Sequence, residues 1–110
     1  MNIHVSPDWF QYIKSGQKTV EGRLYKSKFT DVYPGMAIFI HTQDEHMPLK
    51  MIVERVARHE SFASMLEKEG LATVLPQCPD IQTGIDIYRA FYSKEDEEKY
   101  GVVAIGLKEA

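Results

Sequence analysis

The segment Ser15-Gly16-Gln17-Lys18-Thr19-Val20-Glu21-Gly22-Arg23-Leu24 constrains this chain more than any other, because it sets a helix stop directly before a strand that carries three charges. The stop is Gly16, which suits the left-handed position that closes a helix. The helix before it is predicted over residues 7–15. Ser6-Pro7 supplies a capping hydroxyl and a proline at the first helical position, and Asp8 suits the positive end of the helix dipole. Trp9, Phe10 and Ile13 recur at the spacing of a buried stripe. After the stop, Lys18 to Tyr25 reads as a strand. Its two-residue period places Val20, Gly22 and Leu24 on one face and Thr19, Glu21 and Arg23 on the other. A strand that mixes charges with so few apolar residues is an edge or the wall of a polar site. Its charges then partner one another or a ligand.

The rest of the chain alternates strands with short helices. Tyr33-Pro34-Gly35-Met36 is a turn, with proline and glycine at favoured central positions. A strand follows over Ala37–His41, then a turn at Gln43–His46. The hairpin partner runs from near Met47 to about His59, with a change of phase after Val53 that suggests a bulge. Ser61 caps a helix ending at Glu69 before Gly70, and Leu71–Leu75 is a further helical turn ended by Pro76. Pro76–Gly84 reads as a loop. A longer helix then presents Ile85, Ile87, Tyr88, Phe91 and Tyr92 as apolar contacts. Ser93 caps an acidic turn closed near Gly101, with Glu95–Glu98 expected as a solvated face. Val102–Leu107 is apolar enough to be a strand buried on both faces. Hairpins with helices in their connections, and no regular βα alternation, indicate an α+β fold with a small curled or barrel-like sheet.

The length of 110 residues suits a single domain, residues 1–110, with enough surface to bury a core without staples. No apolar run approaches the ~20 residues that cross a membrane. Met1-Asn2-Ile3-His4-Val5 lacks the basic and apolar regions of an export signal. With a single cysteine, Cys78, this points to a cytoplasmic protein. His4, His41, His46 and His59 are scattered and the cysteine stands alone, so no metal and no other cofactor is expected. There is no glycine-rich phosphate loop and no nucleophile elbow. The net charge of −3 argues against avid, electrostatically driven binding of nucleic acid. The charge is uneven, however. Residues 1–58 carry eight basic and six acidic side chains, and residues 59–110 carry five and ten. Lys14, Lys18, Arg23, Lys26 and Lys28 face a single acid, Glu21, within one short stretch. Such a local excess attracts a phosphate, or it is simply a solvated surface.

Lys18-Thr19-Val20-Glu21-Gly22-Arg23, set after the Trp9/Phe10 helix and Gly16, resembles the ASCH (activating signal cointegrator homology) domain family. Three further segments match in order: Tyr33–Phe39 as a glycine turn before a strand, Ser61–Leu71 as a middle helix, and Tyr88–Ser93 with Tyr100–Ile105 as a closing tyrosine-rich helix and final strand. The resemblance implies a PUA-like fold, a pseudo-barrel of about five or six mostly antiparallel strands with helices packed around it. It also implies binding of RNA, or of a nucleotide or nucleoside, in a cleft lined by the lysine–glutamate–arginine strand. One branch resembles amidohydrolases that remove the acetyl group of N4-acetylcytidine with a lysine, a threonine three residues later and a downstream glutamate. Carried over, the lysine is Lys18 and the downstream glutamate is Glu69, with Glu67 as the alternative. The threonine position holds Glu21, and the neighbouring hydroxyl, Thr19, occupies a different place in the motif.

Two functional readings follow, with a third beside them. In a binding module, Lys18 and Arg23 meet phosphate or base edges. The planar fork of Arg23 offers paired hydrogen bonds, Glu21 accepts from an amino edge, and Tyr92 stacks on a base. In an amidohydrolase, Lys18 is the base, water or Thr19 attacks the acyl carbon, and Glu69 protonates the leaving amine, while Glu21 is a second candidate for activating water. The third reading is a protein-interaction module. Without a ligand, Glu21 and Arg23 make an easy same-face pair and Lys18 joins them.

Overall fold

The computed structural model describes residues 1–110. In chain order its elements are β1 (Asn2–His4), α1 (Pro7–Ser15), β2 (Val20–Leu24), a 3-10 turn (Ser27–Asp31), β3 (Ala37–His41) and β4 (Leu49–His59). There follow α2 (Phe62–Glu69), α3 (Leu71–Val74), α4 (Ile81–Arg89), α5 (Lys94–Tyr100) and β5 (Val102–Glu109). The strands form one sheet in the order β1-β3-β4-β5-β2, parallel between β1 and β3 and antiparallel elsewhere. β1 and β2 are therefore its two edges. The sheet curls into a half-barrel, with the helices packed around it. Curling brings the edges close enough for Arg23 Nη2, on β2, to donate to the His4 carbonyl on β1 at 2.9 Å.

β5 shows why the sheet has two packed faces. Val103, Ile105 and Leu107 join one apolar cluster with Phe10 and Ile13 of α1, while Val102 and Ala104 join another with Phe62, Met65 and Leu66 of α2. The expectation of a strand buried on both faces holds, although β5 runs two residues past Leu107. The change of phase after Val53 is a register shift between Val53 and Arg55 on β4. One extra residue there re-aims the second half of the strand.

Local signals act as expected at most helix ends. Gly16 takes φ +85° and its N–H closes on the Ile13 carbonyl. Ser61 accepts from the Ser64 N–H at 3.0 Å, and Ser93 from the Asp96 N–H at 3.1 Å. Five expectations change. Ser6 stands at the N-cap of α1 before Pro7, but its hydroxyl makes no capping hydrogen bond. β2 begins at Val20, so Lys18 and Thr19 lie in the approach to the strand. The Pro76–Gly84 loop stops at Asp80, whose carboxylate caps α4 by accepting from the Thr83 N–H at 2.7 Å. α4 ends at Arg89, leaving Phe91 outside it and exposed. Finally, Glu97 is not solvated. It is buried, accepting from the Phe62 N–H at 2.7 Å and from Arg89 Nη2 at 2.8 Å. A carboxylate from α5 thereby satisfies a first-turn donor of α2 that the helix itself leaves open.

Candidate functional site

At the seam between β1 and β2 lies a cleft of about 360 Å³. Val5 and Trp9 come from the start of the chain, Lys18, Glu21 and Arg23 from β2 and its approach, and Ile87, Tyr88, Phe91 and Tyr92 from the end of α4 and beyond. Three backbone hydrogen bonds set the β2 approach in place: Lys18 N to Tyr12 O, Thr19 N to Thr73 O, and Leu107 N to Thr19 O. They hold Lys18 under the sheet, so that only 2% of it is exposed.

A buried ammonium needs acceptors for its three N–H groups, and Lys18 has them. It donates to the Val20 carbonyl at 2.8 Å, to the Val74 carbonyl, and lies 3.3 Å from Glu21 Oε1. The other carboxylate oxygen, Glu21 Oε2, accepts from Arg23 Nη2 at 3.0 Å and Nε at 3.2 Å. Burial pushes the Lys18 pKa down, and the neighbouring Glu21 offsets part of that shift. At Glu21 burial acts upward, but Lys18 and Arg23 outweigh it and hold the carboxyl below its ordinary range. The result is a fixed cation–anion–cation row whose Arg23 end is only partly committed. Arg23 spends Nε and Nη2 on Glu21 and His4; Nη1 joins neither bond, and the guanidinium also interacts with the Tyr92 hydroxyl in the cleft wall.

The tyrosines close the far side. Tyr88 is 7% exposed and stacks on Phe62 with ring centroids 4.2 Å apart; its hydroxyl has no hydrogen-bond partner. Burial, reinforced by Glu21, raises its pKa well above the ordinary tyrosine value. Gly22 makes room for this arrangement: a Cβ there would lie 2.6 Å from Met65 Sδ and 3.0 Å from Tyr88 Oη.

A family model described as the ASCH domain matches residues 3–110, nearly the whole length. The chain belongs to the ASCH domain family. Among solved structures, the hypothetical protein PH0355 shares 38% identity at a TM-score of 0.88, over 99% of this chain and 97% of that one. Protein PF0455 from Pyrococcus furiosus shares 40% identity at a TM-score of 0.76, over 98% and 96%. A mutant of ZmASCH from Zymomonas mobilis shares the fold at a TM-score of 0.69 with 17% identity, over 98% of this chain and 66% of that one. No curated protein matches the chain.

In this ASCH domain the structure gathers Lys18, Glu21, Arg23 and Tyr92 around one cleft. It does not bring Glu69 to them. Glu69 lies at the end of α2 against β4, where Oε2 is 2.8 Å from His59 Nε2 and Oε1 accepts from Arg55. The exposed Glu67 and Thr19 are likewise not among the cleft's residues. Tyr92 is held on one ring face, with Phe62 at 5.5 Å and an interplanar angle of 16°. Trp9, expected in the core, is half-buried in the cleft wall, with Lys18 Nζ 5.7 Å from its ring centroid. Sequence reasoning missed two features of the site. The Val74 carbonyl, 56 residues from Lys18, carries no side-chain signal, and Phe91 is placed at the rim only by the early end of α4. No helix is long and apolar enough to cross a membrane.

Proposed function

We propose that this ASCH domain binds RNA, taking one nucleotide unit into the seam cleft, where Arg23 Nη1 meets a phosphate or a base-edge acceptor. The observation that carries this reading is the half-committed Arg23. Its guanidinium is oriented by Glu21 and the His4 carbonyl and still offers donors to the cleft. A fork fixed in advance loses little entropy when it meets a ligand. Lys18 and Glu21 neutralise one another, so Arg23 contributes the one unbalanced charge of the row. Binding therefore depends weakly on salt.

The geometry favours binding over amide hydrolysis. A general base needs a free lone pair, whereas the Lys18 ammonium has three acceptors around it. The acid expected at Glu69 is engaged elsewhere.

The test is a titration of short RNAs and nucleotides into wild type and Arg23→Lys, with N4-acetylcytidine incubated alongside. Arg23→Lys keeps the charge but cannot both hold Glu21 and offer a free edge, so affinity drops roughly 10-fold. No cytidine is expected from N4-acetylcytidine. Release by wild type that disappears in Lys18→Ala would restore the amidohydrolase reading. Wild-type protein that binds neither RNA nor nucleotide would end the binding reading and leave a protein partner.

A further inference from the structure

The rim of the cleft carries an aromatic ring that the fold does not use. Phe91 is 77% exposed. Tyr33 and Met47 are also large, apolar and exposed, but neither belongs to this cleft, whereas Phe91 does. The neighbouring tyrosines are already occupied: Tyr88 and Tyr92 both stack on Phe62, and Phe91 meets Tyr92 in a tilted contact at 6.5 Å and 56°. An exposed aromatic ring forgoes the burial that stabilises most phenylalanines. Phe91 and Arg23 line the same cleft, which therefore offers a flat apolar surface and hydrogen-bond donors to one small ligand.

That pairing suits one chemistry closely. A nucleobase has a π face for the ring and acceptor atoms on its edge for the guanidinium. An aliphatic partner would cover Phe91 and offer no acceptor to Arg23. A base within a duplex presents no free face, and a space of about 360 Å³ is at the small end for ligand pockets.

We propose that Phe91 is the stacking platform for a single unpaired base, so that the cleft takes single-stranded and not duplex RNA. This rests on the binding reading above and assigns the stacking role to Phe91 where the sequence suggested Tyr92.

The experiment uses the full chain as wild type, Phe91→Leu and Phe91→Tyr. Trp9, the sole tryptophan and part of the cleft wall, serves as the fluorescent reporter. The probes are single-stranded RNA octamers, their duplexes, the four nucleoside monophosphates and ribose 5-phosphate. Because Phe91 is exposed, the variants are expected to melt with wild type. Phe91→Leu, which keeps apolar bulk and loses the ring face, should weaken single strands and monophosphates by about 5- to 100-fold. Phe91→Tyr should bind as wild type does, and ribose 5-phosphate should not distinguish the three proteins. Equal binding by wild type and Phe91→Leu, or a preference for duplex, would overturn the assignment while leaving RNA binding intact. Absence of any binding by wild type would overturn both.

Discussion

Two side-chain rows in this protein have the same composition, a carboxylate between two basic groups, and behave differently. Lys18–Glu21–Arg23 floors the seam cleft, and Arg55–Glu69–His59 clasps α2 to β4. Both glutamates are held below the ordinary carboxylate range, for different reasons. At Glu21 the largest influence is burial, which acts upward and is overcome by Lys18 and Arg23. At Glu69 the largest is the Arg55 hydrogen bond, which acts downward against a weaker effect of burial. The Arg55 side chain is 50% exposed and can return to water, whereas that of Lys18 is 1% exposed and cannot. The lesson is that water access, and not the pairing pattern, decides whether such a row merely decorates a fold or becomes a rigid part of a site.

Removing each carboxylate should separate the two rows most clearly. Glu21→Gln leaves the Lys18 ammonium buried beside a neutral group, and urea unfolding should show a loss of about 3 kcal/mol. Glu69→Gln should lose less, about 1–2 kcal/mol, because solvent takes over the pairing at the half-exposed Arg55 while the buried His59 loses its partner. Equal losses would mean that the Lys18 pocket admits water, and the contrast would fail.

A smaller effect is expected from the glycine beside each row. A Cβ at Gly22 would press on Met65, which is fully buried, and on Tyr88 Oη. Gly22→Ala should cost about 1–3 kcal/mol and weaken the proposed RNA binding, since Tyr88 lines the cleft. At Gly106 the Cβ would lie 2.8 Å from Arg55 Cγ, on a side chain that is half exposed and can shift at the expense of its bond to Glu69. Gly106→Ala should therefore cost less than about 1 kcal/mol. Thermal melts of the pair rank the two, and a reversed order would show the second row to be the stiffer.

The gentlest probe is acid. Both glutamates have folded-state pKa values below that of the unfolded chain, about 4.3. Their contribution to stability is therefore complete above that pH. It is lost as pH falls through the lowered folded values, because the unfolded chain takes up its protons first. Stability measured between pH 5 and pH 2 should fall less steeply in Glu21→Gln and in Glu69→Gln than in wild type. An unchanged slope in Glu21→Gln would mean that the folded protein does not shift the Glu21 pKa, and a steeper fall would mean that Glu21 is neutral in the folded protein.

Much of this was legible in the residues themselves. The helix stop at Gly16, the caps at Ser61 and Ser93 and the Glu21–Arg23 pair rest on interactions within a few residues, and the bulge after Val53, a shift in the β4–β5 register, shows in the local change of apolar phase. Asp80 shows a local signal that was present but passed over: its cap to Thr83 opens α4 in a stretch rich in proline. Glu97 shows a misleading one. An acidic run reads as solvated, yet one of its members is drawn inward by the open Phe62 N–H of a helix 35 residues away.

What the sequence determined by itself was the succession of elements, the family and the charged strand, because capping, periodicity and strand alternation act over short separations along the chain. The tertiary structure alone decided which charges lie together in the cleft. Lys18 is buried because the Val74 carbonyl, from α3, completes its set of acceptors. Glu69 is excluded because α2 docks its last turn on Arg55 and His59 of β4. Phe91 stands at the rim because α4 stops at Arg89 beside the seam. Each outcome depends on groups far apart in the chain, whose meeting is fixed by how the sheet curls and how the helices pack on it, and no local pattern of residues encodes that distance.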